Sequence, residues 1–402
     1  MLRRPSWFVL LLAAAVLVAA GCGGNGGDGA AEPEPPTPER EPTPPPDDED
    51  DDVEEGAWEE LPEGPVAARL NASVTWVDGH VVVWGGGEEV AADGAAWNAD
   101  TGEWREISEA PIAPRWAHAA FSAGPGVLVW GGTAGPDHLA ECYADGAIHD
   151  LETAEWTEIP DAPGGARCGA AVVMSADELI VFGGYDSEGP PSPGDVRDDG
   201  VVYDLESGEW SELPSAPGGG RWGAVAAWTG SELVVWGGTG PDGEPRADGV
   251  AYDLGEGEWR ELPEAPLPAR NDAAGAWAGD ELLVFGGRGP DAPDAADRTD
   301  GAAYDPEADE WRELPSMPWP VAGVETAWTG SVLYVVGSPG EGGEGAFMAY
   351  VPDEDAWVDR PDPPAGERRN HGLAWTGAQL VLWGGQSDES PEAPAAVWSP
   401  PG

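Results

Sequence analysis

From Trp58 to its end the chain repeats one unit seven times, and such a repeat dictates the fold more tightly than composition does. The units begin at Trp58, Trp104, Trp156, Trp210, Trp259, Trp311 and Trp357 and open like "WRELPEAPLPAR". Each runs through an apolar stretch to a diglycine: Gly85-Gly86, Gly131-Gly132, Gly183-Gly184, Gly237-Gly238, Gly286-Gly287 and Gly384-Gly385, with Gly337-Ser338 in the sixth unit. A loop of variable length follows, then a short segment such as "DGVVYDL" at Asp199 to Leu205. These segments are short, β-branched and aromatic, bounded by Gly, Asp and Pro, which are strand signals with turn chemistry between them. No helix-length periodic segment is present.

A unit of about 46 to 54 residues holding four short strands matches a propeller blade. The expected fold is all-β, a seven-bladed β-propeller over residues 57–402. The two ends complement each other: the last unit stops after "AAVWSP" at Ala395 to Pro400, and the first begins with the missing strand, "AWEELP" at Ala57 to Pro62. The N-terminal strand is therefore expected to close the last blade, which removes the exposed edges of an open array. The diglycine, the Tyr-Asp pair and the spaced tryptophan resemble the kelch motif over residues 58–402. That resemblance implies the fold shared with galactose oxidase. It also implies that the links from outer to inner strand, and from second to third strand, open on one ligand-binding face.

The N-terminus reads differently. Arg3 and Arg4 precede an apolar run from Phe8 to Ala20, too short for the roughly 20 residues that span a bilayer. Residues 1–21 are read as a signal peptide. "LVAAGC" at Leu17 to Cys22 resembles the lipobox of bacterial lipoproteins, with Ala19 where that family usually has Leu. The resemblance implies a diacylglycerol on Cys22 and an extracytoplasmic protein anchored to the bacterial membrane. Residues 22–56, rich in Gly, Pro and acid, are expected to be a disordered tether.

Charge excludes one partner class. The chain has 76 acidic residues against 18 basic ones, all arginine, for a net charge of −58, so a polyanion such as nucleic acid is not expected to bind. The scarce arginines recur in the outer-to-inner links as Arg69, Arg115, Arg167, Arg221, Arg270 and Arg368, absent only from the sixth blade. Arg197, Arg246 and Arg298 precede the third strands of three consecutive blades, and Arg288 and Arg369 join them. Eleven of the 18 arginines thus belong on or near one face, where their planar forks suit a carboxylate or other anion. The alternative is that each pairs with the Asp of its own repeat. Trp116 and Trp222 follow their arginines and, with Trp319, are candidates for stacking on a sugar or an aromatic side chain.

With Cys22 committed to lipid, Cys142 and Cys168 belong to the same face of adjacent blades, and in an oxidising compartment they are expected to pair. His80, His118, His138, His149 and His371 show no metal-site spacing. His118 and His371 sit at equivalent positions on blades 2 and 7 and read as structural. Cys142 precedes Tyr143, but no histidine pair accompanies them as the copper site of galactose oxidase would require. No metal or cofactor is expected. The functional expectation is a monomeric, anchored binding or scaffold module that recognises a peptide or glycan, anionic ones included, through its arginine-bearing face. The rival is an enzyme acting on an acidic sugar, because some bacterial kelch proteins resemble sialic-acid mutarotases. A cluster of His or Glu with arginines in the central pocket would favour that rival.

Overall fold

The structure, a computed structural model, describes residues 56–135, 141–186, 194–290, 298–322, 324–337, 347–386 and 393–401. Cys22, the signal peptide and the tether up to residue 55 lie outside them. The described residues form seven four-stranded antiparallel sheets. Blades 1 to 6 use consecutive strands; those of blade 3 are Ala171–Met174, Glu178–Phe182, Gly200–Asp204 and Glu209–Leu213. Blade 7 takes three strands from the C-terminal end and its outer strand from the N-terminal end: Ala57 pairs with Ser399 and Glu60 with Ala396. The expected closure is present.

The second strand of each blade is buried on both faces because neighbouring blades cover it, and it reads accordingly as an unbroken apolar run such as "GVLVW" at Gly126–Trp130. Leu128 and Trp130 of blade 2 share a cluster with Leu179, Val181 and Tyr203 of blade 3. Each such side chain contributes roughly 1.5–3 kcal/mol on burial. Outer strands such as "EWSEL" alternate Glu and Ser toward solvent, which keeps those edges from pairing with another chain. In the Tyr-Asp pair, Tyr203 is core while the Asp204 carboxylate accepts the Ser207 N–H at 2.6 Å and fastens the next turn.

Two repeated bonds explain the rest of the motif. Each repeat tryptophan donates its indole N–H to a carbonyl in the link leaving the previous blade: Trp104 to Pro62 at 3.0 Å, Trp210 to Pro160 at 2.9 Å, Trp259 to Pro214 at 2.8 Å. The series closes on itself through Trp58, which donates to Pro361 at 2.8 Å. The second bond is internal to a blade. Arg115 donates to the Gly131 and Asp145 carbonyls, both at 3.0 Å, and forms an ion pair with the Asp145 carboxylate at 2.9 Å. Arg167, Arg221 and Arg270 repeat this with Asp199, Asp248 and Asp300. Arginine, the first glycine and the Asp before the third strand are thus one strut. Gly131 and Gly132, at φ 67° and 85°, make it possible: a Cβ on Gly132 would meet the Trp116 carbonyl at 2.6 Å.

Cys142, in a loop of blade 2, is bonded to Cys168 at the start of blade 3, with Cα atoms 5.7 Å apart. Closing that loop contributes roughly 3 kcal/mol. The inner strands, which surround the central channel, touch between neighbouring blades. Those of blades 2 and 3, Ala119–Ala123 and Ala171–Met174, make the least contact.

Candidate functional site

Burial decides which arginines can meet a ligand. Arg115 and Arg270 are 0% exposed, Arg221 and Arg368 1%, and Arg167 3%. Their expected place at a ligand is corrected by this geometry: the guanidinium is spent on internal carbonyls and, in four of the five, on an Asp of the same blade. Arg368 is the fifth, donating to the Pro364 and Pro394 carbonyls, and burial pulls it down to about 10. Arg69 is a less enclosed copy of the strut, 2.7 Å from Asp93. Arg197 is 2.7 Å from Asp186 and Arg246 is 3.3 Å from Asp248. Arg298 is also partnered. Trp116 and Trp222 are half-buried between neighbouring loops, Trp116 donating to the Leu70 carbonyl at 3.0 Å and Trp222 packing edge-on to Tyr185. Trp319 is in the core.

Two of the eleven arginines reach the channel mouth. Arg288 pairs with Asp272 at 3.1 Å. Arg369 is exposed and has no ion-pair or hydrogen-bond partner for its side chain among the described residues. Both line a cavity of about 350 Å³ with Asn71, Asn370, His371 and Glu325.

The mouth is built by the same step in each blade. Two residues past the arginine the backbone turns left-handed, at Asn71, Ala117, Gly169, Gly223, Asp272 and Asn370 with φ between 48° and 62°, and drops into the inner strand. Asn, Asp and Gly tolerate that conformation; Ala117 is the departure. Two residues further lie Ser73, Ala119, Ala171, Val225, Ala274 and Gly372, and in blade 6 Glu325. Blade 6 also lacks the strut arginine, Val321 standing there fully buried, and its diglycine is broken. The strut's parts are lost together because neither serves without the other.

Glu325 is where three cavities, of about 630, 180 and 350 Å³, meet. It keeps solvent-accessible surface because the channel admits water, yet the ring surrounds it, and that desolvation raises its carboxyl above the usual range. Its backbone pairs with Val336 in the sheet, but no described residue hydrogen-bonds or pairs with its carboxylate. His371 is 5% exposed, and neither ring nitrogen has a hydrogen-bond partner in the described residues. His118 shares the 180 Å³ cavity and bonds Ser73 Oγ at 2.9 Å. Burial, then the nearby charges of Arg368 and Arg115, push the two imidazoles down to about 3, so both are neutral at ordinary pH. No group of His, Cys, Asp or Glu among the described residues is disposed to hold a metal ion.

Seven blades around an axial pocket with charged groups at one mouth define a β-propeller. The sequence matches the KLHDC2/KLHL20/DRC7 Kelch-repeats domain over residues 51–218 and 169–385, and the chain belongs to that kelch-repeat family. The solved structure of YjhT is similar, with a TM-score of 0.57 at 17% identity over 75% of this chain and 99% of that one. At that identity the likeness speaks to fold alone. A comparison with curated proteins returns no match.

Proposed function

We propose that this chain is a membrane-anchored, extracytoplasmic binding module that takes a carboxylate-bearing peptide or glycan at its channel mouth. Arg369 carries the reading. On a chain of net charge −58, an exposed guanidinium without an acidic partner among the described residues is a local reversal of sign, and its fork matches a carboxylate. Arg288, Asn71 and Asn370 around the same cavity add further donors. The lipobox-like run before Cys22 and the Gly, Pro and acidic stretch behind it support the anchored placement. A second reading, an enzyme acting on an acidic sugar, is favoured by Glu325 and His371 lining that same cavity, both side chains without hydrogen-bond partners in the described residues.

The test is calorimetric titration of D-glucuronate into the full-length protein in detergent. Binding should weaken with added salt, and Arg369→Ala should lower affinity about tenfold or more. Unchanged affinity in that variant would remove the proposal. Faster exchange of the glucuronate anomers in the same sample, read by NMR and lost in Glu325→Gln, would decide for the enzyme.

A further inference from the structure

Taken blade by blade, the channel mouth has two unlike sides. Blades 5, 6, 7 and 1 present Asp272, Glu325, Asn370 with His371, and Asn71 with Ser73. Blades 3 and 4 present Gly169-Ala170-Ala171 and Gly223-Ala224-Val225 at the same three positions, and blade 2 presents Ala117-His118-Ala119, with His118 its one polar side chain there. The cations are just as lopsided: Arg288 and Arg369 belong to blades 5 and 7 and flank blade 6. In a ring of seven, the point diametrically opposite blade 6 is the seam between blades 2 and 3.

That seam is the one place where inner strands barely touch. A cavity of about 630 Å³ fills it, reaching from Glu325 across the channel to Ala119, Ala171, Trp130 and Tyr185. Glu325 is its only carboxylate, and the side facing away from blade 6 is made mostly of aliphatic side chains, backbone and two aromatic rings, with the His118 imidazole and the Thr133 hydroxyl as its polar side-chain groups. The Cys142–Cys168 bond ties the two blades together beside it, Cys168 itself lining the cavity. Ligand pockets combine such apolar wall with a few placed polar groups that fix orientation.

Resting on the anion site proposed above, we infer that the ligand is an amphipathic carboxylate. Its acid group sits at blade 6 between Arg288 and Arg369, and an uncharged aryl or acyl arm crosses the channel into the seam between blades 2 and 3. His371, buried with both ring nitrogens free of hydrogen bonds to the described residues, is positioned to bond the polar middle of such a molecule.

Titrations of D-glucuronate, phenyl β-D-glucuronide and phenyl β-D-glucoside into the full-length protein separate the two ends. The aryl acid should bind about tenfold tighter than glucuronate, the worth of burying a phenyl group, and the uncharged glucoside should bind weakest. Ala119→Leu fills the seam and should bring the aryl acid down to the affinity of glucuronate while leaving glucuronate unchanged. Ala119→Val, the residue blade 4 carries at the equivalent Val225, gives the same comparison if the leucine variant does not fold. Arg369→Ala should weaken both acids alike. Equal affinity of the two acids for the parent, or indifference of the aryl acid to a filled seam, overturns the inference and leaves the anion site standing. Binding of neither acid overturns both.

Discussion

Glu325 occupies a position where the other six blades carry Ser, Ala, Val or Gly, and a carboxyl ringed by the blades without a side-chain partner in the described residues costs stability. Its folded value is raised by desolvation, while the unfolded chain keeps an ordinary one. The folded state therefore holds the proton longer, and the associated stability is present at low pH and lost as pH rises through the raised value. The histidines facing it, His118 and His371, are held at about 3 and do not titrate in that window; Arg288 and Arg369 line the same cavity. Glu325→Gln is expected to be more stable than the parent at pH 8 by about 1 kcal/mol, discounted for the water in the channel. The gain should fade toward pH 4, as thermal melts across that range would show. In the parent, affinity for glucuronate should fall as pH rises, because an ionised Glu325 repels an anion, and the glutamine variant should lack that slope. A substitution that stabilises the ring yet alters binding marks a residue kept for the site rather than for the fold.

The arginine strut joins the ends of the second and third strands of a blade, and its removal leaves buried carbonyls without their donor. Arg115→Ala, Arg221→Ala and Arg270→Ala are each expected to lower stability by about 2–4 kcal/mol in urea denaturation. A triple variant as stable as the parent would return these residues to a ligand role. Strands, blade number and ring closure were legible because period, apolar runs and turn residues follow from backbone geometry alone. The direction of the arginine side chains was not, since a recurring "PxxxR" places a residue in a link without saying whether it points in or out. Blade 6 held the clue: Val321 and the broken Gly337-Ser338 pair depart from the repeat together, which marks arginine and diglycine as partners. Glu325 was visible as the one acid at its position, but only once that position was known to line the channel.

Around the whole ring, seven indole-to-carbonyl bonds fasten each outer strand to the preceding blade, and two of them, Trp58 to Pro361 and Trp104 to Pro62, depend on the first described segment. A chain beginning at Glu63 loses a strand, a half-buried tryptophan packed on the blade 6–7 core and both bonds. It should melt roughly 10 °C or more below the parent and less cooperatively, as calorimetry would record. An unchanged transition would mean that the ring closes by other means. The same strand carries a second meaning. Ala57 starts beside Ser399, at the end of blade 7 remote from the arginine-bearing links, and Glu60 ends beside Ala396 on their side. The described chain therefore enters the propeller on the face opposite the arginine-bearing links, and the strand that locks the ring shut does so without adding a residue to the rim of the opening.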